Sequence, residues 1–201
     1  MVLDGIDGCG STTHSALLKD YLEKNGYRVH LTREPSSLDV GRLLREYLKR
    51  SEVPNPTDAL LFAADRVEHY YNEILPEIEN GRVVISDRYL ESSIAYQAAQ
   101  SEHQSSKSHR FDIDVDWIKT INKFAPLPDI TVILDIEPEV SLSRKYGQDE
   151  EIDKFENEGF LKTVRRIYLE RADEMNYYVI DVNRPKSDVA TDIRKIIKNG
   201  L

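Results

Sequence analysis

Met1-Val2-Leu3-Asp4-Gly5-Ile6-Asp7-Gly8-Cys9-Gly10-Ser11-Thr12-Thr13 opens the chain, and the order of residue types in it decides the fold. An apolar strand-like run comes first, then three glycines within six residues, then a polar stretch that starts a helix at Ser11. Against the phosphate-loop pattern G-x-x-x-x-G-K-[ST], Gly5, Gly10 and Thr12 match, and Ser11 stands where lysine belongs. Glycines let the backbone bend around an anion, so that N–H groups from Gly5 through Ile6, Asp7, Gly8, Cys9, Gly10, Ser11, Thr12 and Thr13, with the helix N-terminus, face phosphate oxygens. The Thr12 hydroxyl is then available to magnesium. A glycine-rich turn with no ligand is the competing reading of the loop taken alone.

Outward from this stretch, helical and strand patterns alternate. Thr12 to Asn25 places Ala16, Leu17, Tyr21 and Leu22 at helical spacing, Gly26 closes the helix, and Tyr27 to Thr32 reads as a second strand. Val40 to Leu48 is amphipathic, Pro54-Asn55-Pro56 breaks the chain, and a longer helix starts near Thr57. Pro76 either kinks that helix or opens a new turn. Arg82 to Asp87 and Asp129 to Asp135 are apolar runs ending in a carboxylate, the pattern of buried parallel strands. Ser92 to Gln100 and Val115 to Phe124 read as helices around a polar stretch, Ser101 to Arg110, read as a mobile surface loop. Glu137 to Tyr146 is helical, Gly147 to Asp153 an acidic linker, Phe160 to Met175 a long helix, Tyr177 to Ile180 a fifth strand and Asp188 to Lys198 a last helix. The expected fold is α/β: one domain over residues 1–201, with a five-stranded parallel sheet flanked by helices on both sides. Ligands in such folds bind beyond the carboxyl ends of the strands, which gathers the loop after strand one, Arg33-Glu34-Pro35 after strand two and Asp87-Arg88-Tyr89 after strand three.

With 201 residues, 40% of them hydrophobic, the chain suffices for one full core. A net charge of -9 argues against a nucleic-acid or anionic-membrane surface, so any phosphate must be held by a local cluster. Cys9 is the single cysteine, which excludes an internal disulfide and points to a reducing, cytosolic setting. No apolar run approaches transmembrane length.

Gly5-Ile6-Asp7-Gly8, Thr32-Arg33-Glu34-Pro35, Leu60-Leu61-Phe62-Ala63-Ala64-Asp65-Arg66, Asp87-Arg88-Tyr89, Ser92-Ser93-Ile94-Ala95-Tyr96-Gln97 and Asp153-Lys154-Phe155-Glu156 occur in the order and spacing of the thymidylate kinase family, which the chain resembles from residue 1 to about 185. The resemblance implies a phosphate-loop kinase fold, transfer of the ATP γ-phosphoryl group to dTMP with magnesium, a cytosolic homodimer, and a mobile lid over ATP at about residues 143–156. It assigns Phe62 to stacking on the pyrimidine, Arg66 to its O4, and Ser93, Tyr96 and Gln97 to the base edge and to blocking a 2′-hydroxyl. Arg33 and Pro35 shape the acceptor pocket in the same reading.

The residue chemistry agrees. Phosphoryl transfer asks mainly for positioning and positive charge. Arg88 at a strand end can fork onto a phosphate while the neighbouring Asp87 orients magnesium through water; a surface ion pair is the alternative. Asp7 reaches the magnesium shell or the acceptor 3′-hydroxyl, unless it only forms the turn. Phe62 and Arg66, four residues apart, share a helix face, though Phe62 on spacing alone reads as core. His14, His103 and His109 have no ligand-like spacing and are assigned nothing. With Ser11 in place of lysine, the positive charge is expected from Arg88 and from the lid segment beginning Arg144-Lys145, with Arg144 the nearest candidate. Three functions remain at this stage: a dTMP kinase with a modified loop, a kinase for another nucleoside monophosphate or a nucleoside, and a nucleotide-binding protein that has lost catalysis. Retention of Asp7, Thr12, Asp87 and Arg88 favours catalysis, and Phe62, Arg66 and Tyr96 favour dTMP.

Overall fold

The structure, a computed structural model, describes residues 1–50, 53–103, 113–146 and 157–200. Five parallel strands, β1 (Val2–Asp4), β2 (Val29–Arg33), β3 (Val83–Asp87), β4 (Thr131–Asp135) and β5 (Tyr178–Asp181), form one sheet in the order β2-β3-β1-β4-β5. The helices are α1 (Ser11–Lys24), α2 (Asp39–Leu48), α3 (Asn55–His69), α4 (Leu75–Glu79), α5 (Leu90–His103), α6 (Val115–Ile121), α7 (Pro138–Tyr146), α8 (Glu158–Met175) and α9 (Lys186–Gly200). α1 packs on α9, and α5 packs on α8. The central strands are apolar on both faces because both faces are covered: Leu3, Ile85, Ile133 and Leu134 are all essentially inaccessible.

The direction in which strands are added reverses about β1: β2 and β3 lie on one side of it and β4 and β5 on the other. The crevice at such a switch point, beyond the carboxyl ends of β1 and β3, is where this architecture binds ligands. Register fixes what meets there: Leu3 and Arg33 both lie opposite Asp87, Arg88 N–H donates to Leu3 O at 2.9 Å, and Glu34 N–H donates to Asp87 O at 3.0 Å.

Local chemistry explains most boundaries. At the end of α1, Gly26 takes a φ of 88°, and the N–H groups of Gly26 and Tyr27 return to Glu23 O and Leu22 O at 3.1 Å each, a Schellman stop. Pro76 neither ends nor simply kinks its helix. A π turn, Tyr70–Ile74, joins α3 to α4 where the proline ring would otherwise press on the Asn72 carbonyl, and the wider turn makes room.

Two expectations need correction. Ser101 to His103 belong to α5 and not to a surface loop: Ser101 is buried and accepts Ile113 N–H at 3.1 Å, and His103 bonds Thr163 at 2.8 Å. These tertiary partners extend a helix whose polar composition carries no periodic signal. The helix expected to reach Phe124 ends at Ile121, because the buried Asn122 turns its amide oxygen to Arg66. The rest of the expected loop, residues 104–110, the linker, and the lid from residue 147 to 156 with its Asp153-Lys154-Phe155-Glu156 motif lie outside the described residues.

Candidate active site

The loop after β1 is shaped by contacts that tolerate no side chain at its first glycine. A Cβ on Gly5 would lie 2.5 Å from Leu134 O, and Gly10, the residue before α1, holds a φ of 88° so that the N–H groups of the first helical turn face outward. Cys9 is buried beneath the loop, and burial pushes its thiol up to about 11, leaving it inert. Ser11, at 7% exposure, is the first helical residue and brings no charge to the loop.

A carboxylate that the sequence reading left unassigned holds the loop to its neighbours. Asp4 is wholly buried. It accepts from Tyr168 Oη and Ser92 Oγ at 2.6 Å each, from the N–H of Ser92 at 3.1 Å and of Tyr89 at 3.2 Å, and from Gly5 N–H at 2.9 Å. Asp4 thereby caps α5 from β1, a stabilising site for negative charge. Burial nevertheless raises its pKa above the ordinary carboxylate value, with Arg88 and the hydrogen bonds opposing.

Arg88 follows β3 with a φ of 71°, a left-handed conformation that costs about 1–2 kcal/mol for a non-glycine residue and concentrates at functional sites. Its guanidinium donates to Gly5 O at 2.9 Å, Ser92 Oγ at 3.0 Å and Asp7 Oδ1 at 2.6 Å, and stands 5.5 Å over the Tyr96 ring. Asp7 N–H donates to Tyr96 Oη at 3.0 Å, and Ser141 Oγ donates to Asp7 O. Asp7, Arg88 and Tyr96 are therefore one unit.

Thr12 Oγ1 donates to Asp87 Oδ2 at 2.5 Å, while the buried Asp87 Oδ1 has no protein partner among the described residues. A hydroxyl beside a carboxylate with an unused oxygen fits magnesium, which takes one or two carboxylates and completes its shell with water and substrate phosphate.

Two cavities flank the loop. The first, about 170 Å³, is lined by Asp7, Pro35, Phe62, Arg66, Tyr96 and Gln97 among others. Arg66 is 0% exposed: it donates to Glu34 Oε2 at 2.6 Å, Asn122 Oδ1 at 2.5 Å, and Tyr89 O and Ser93 Oγ at 3.0 Å each, leaving Nε–H unpartnered. Gln97 is 1% exposed, and its Oε1 likewise has no partner among the described residues. Phe62 is only half-buried, so it belongs to the cavity wall and not to the core. Ser93 stands behind Arg66, and Arg33 lines a neighbouring space of about 310 Å³ with Thr12, Thr32 and Asp87. The second flanking cavity, about 500 Å³, lies on the other side of the loop against Gly8, Gly10, Thr13, His14, Arg144 and Lys186. Arg144 donates to Val182 O at 3.0 Å and approaches Gly8 O at 3.5 Å. Burial first, then the charges of Lys186 and Arg144, holds the His14 imidazole below its ordinary range.

The thymidylate kinase family model matches residues 3–193. The chain belongs to the thymidylate kinase family. It is similar to probable thymidylate kinases from Pyrobaculum aerophilum, 45% identical with 98% of this chain and 95% of the relative covered, from Pyrobaculum calidifontis, 43% identical with 100% and 96% covered, and from Staphylothermus marinus, 37% identical with 100% and 95% covered. In this structure Asp7, Arg88, Phe62, Arg66, Tyr96, Gln97 and Pro35 line one cavity; strand-end position had pointed to Asp7 and Arg88, and the family resemblance to the others. Asp4, Glu34, Tyr89 and Ser92, which hold Arg88 and Arg66 in place, were given no role from the sequence. Asp4 carried a signal, since a carboxylate within an otherwise apolar buried strand needs partners. No helix among the described residues is long and apolar enough to cross a membrane.

Proposed function

We infer that this protein is a phosphotransferase that moves the γ-phosphoryl group of ATP to dTMP. The observation that carries the reading is the cavity lined together by the half-buried Phe62 ring, by Arg66 and Gln97, and by the Asp7–Arg88–Tyr96 unit of the glycine loop and its neighbours. A pyrimidine fits against the ring, with the polar side chains of Arg66 and Gln97 in the same lining to meet its edge. Arg88 then directs guanidinium charge at the acceptor phosphate, and Asp7 lies beside the acceptor sugar. Phosphoryl transfer needs this alignment more than any covalent chemistry. Arg33 adds charge at the β2 end, Pro35 bounds the cavity, and Ser93 fixes Arg66 from behind.

The donor triphosphate rests on the loop N–H groups from Gly5 to Thr13, with Arg144 over it. Thr12 and Asp87 hold magnesium, which when bound neutralises charge on the phosphates. A homodimer in the cytosol completes the proposal; Leu60, Tyr71 and Ile78, exposed along α3, the π turn and α4, supply apolar surface for it, and light scattering gives the test.

A coupled assay of ATP consumption over a panel of nucleoside monophosphates tests the reading. dTMP is expected to exceed dUMP in kcat/KM, with UMP poor, because Tyr96 crowds a ribose 2′-hydroxyl; Tyr96→Ala is expected to narrow the dTMP-to-UMP ratio. Similar kcat/KM values for UMP and dTMP in the natural protein would remove that role from Tyr96. Nucleotide binding without turnover on any acceptor would return the chain to the nucleotide-binding, non-catalytic reading.

A further inference from the structure

A row of polar side chains runs from the β2 edge of the sheet to the acceptor cavity and passes through His69, the last residue of α3. His69 is 0% exposed. Its Nε2 stands 2.7 Å from Thr32 Oγ1 and 3.9 Å from Glu73 Oε2, and its Nδ1 stands 3.2 Å from Glu34 Oε1. Glu73 sits on the π turn that begins at the next residue, a kind of turn that recurs at functional sites, and is met by His30 Nε2 at 2.9 Å. Thr32 and Glu73 line the space beside Thr12 and Asp87, whereas Glu34 and Arg66 line the acceptor cavity. The ring therefore bridges the walls of the two without lining either.

What the ring does to Glu34 follows from hydrogen-bond bookkeeping. A carboxylate only accepts, so Nδ1 carries a proton in either charge state of the imidazole and donates to Oε1. Arg66 Nη2 donates to the other oxygen, Oε2, at 2.6 Å. A carboxylate and a guanidinium left to themselves tend to join through two parallel hydrogen bonds. With Oε1 taken by His69, Arg66 reaches Glu34 through Oε2 alone, and the guanidinium is turned so that it also meets Asn122 Oδ1, Tyr89 O and Ser93 Oγ.

We propose that His69 is a positioning residue for the acceptor: by occupying Glu34 Oε1 it keeps the Glu34–Arg66 pair to a single contact and so sets the direction of the guanidinium in the cavity. The proposal rests on the reading of that cavity as the acceptor site. Neither ring nitrogen touches the acceptor, so the effect passes through Glu34.

The two nitrogens can be replaced one at a time, because an asparagine amide reaches about as far as Nδ1 and a glutamine amide about as far as Nε2, each with two N–H donors. His69→Asn keeps a donor on Glu34 and abandons Thr32; His69→Gln keeps a donor on Thr32 and frees Glu34 Oε1. The test is calorimetric titration with dTMP on the natural protein, on both variants, and on Glu34→Gln alone and joined with His69→Gln, with steady-state kinetics and thermal melting alongside. His69→Gln is expected to weaken dTMP binding about tenfold, the scale of one hydrogen bond to a charged group, and to raise KM for dTMP with little change in kcat or in KM for ATP. His69→Asn is expected to bind dTMP nearly as the natural protein does. Melting is expected to fall in both, since each leaves one buried group without its partner. In the Glu34→Gln background the His69→Gln substitution is expected to cost much less, because the carboxylate it acts through is gone. In the natural protein, NMR of nitrogen-labelled histidine is expected to show the His69 ring resonances moving when dTMP is added and staying in place with ATP, and this decides the matter where a variant does not fold. Natural dTMP affinity in His69→Gln, equal losses in the Asn and Gln variants, or ring resonances that dTMP leaves unmoved overturn the proposal with the acceptor reading intact. A natural protein that neither binds nor turns over dTMP overturns the acceptor reading and the proposal with it, so the two failures are distinguishable.

Discussion

Arg88→Ala is expected to lower kcat/KM about a hundredfold or more, the range in which removal of one transition-state donor falls. The guanidinium binds Gly5 O, Ser92 Oγ and Asp7 Oδ1 at once, so it positions the phosphate loop and the proposed acceptor end together. Arg88→Lys is expected to recover little of this, since one ammonium cannot reproduce a planar fork on separated acceptors. Stability is expected to suffer less: the side chain keeps 20% exposure, and its net hydrogen bonds are worth about 1.5–3 kcal/mol where charge assists. Thermal melting beside steady-state kinetics separates the effects. A variant that turns over normally would reduce Arg88 to an ion pair.

Arg66→Ala is expected to act in the opposite proportion, destabilising the fold by about 3–5 kcal/mol because it strands the buried Glu34 carboxylate without its partner. For a chain of this size that lowers the melting temperature by roughly 6–20 °C. Glu34 is 5% exposed and contacts His69 Nδ1 at 3.2 Å as well as Arg66, so the pair ties the turn after β2 to α3, and through Asn122 to the end of α6. An arginine serving only as a base reader would leave melting untouched and raise KM for dTMP alone. Arg66→Ala joined with Glu34→Gln, which removes the stranded charge, is expected to be less destabilised than the single variant.

The divergent roles of these two arginines mark the boundary between what the sequence determined and what the tertiary structure decided. Arg88 was legible as a site candidate from its strand-end place in Asp87-Arg88-Tyr89; for Arg66 the spacing gave only a helix face shared with Phe62, and the family resemblance supplied the role. The parallel α/β fold and the phosphate loop were equally legible, since apolar runs, glycines and helix caps act within a few residues. The burial of Arg66 was not: its partners Glu34, Tyr89 with Ser93, and Asn122 come from three separate segments, and burial is a sum over the whole packed molecule. The same holds for the three residues at the end of α5 that polar composition assigned to a loop, which Thr163 and Ile113 keep helical, and for Asp4, whose partners come from α5 and α8. By itself, then, the sequence determined which elements form and which residue types stand at their ends. Only the packing of α5, α8 and α9 about the sheet decided which charges are paired, because pairing depends on distances between segments that no local pattern encodes.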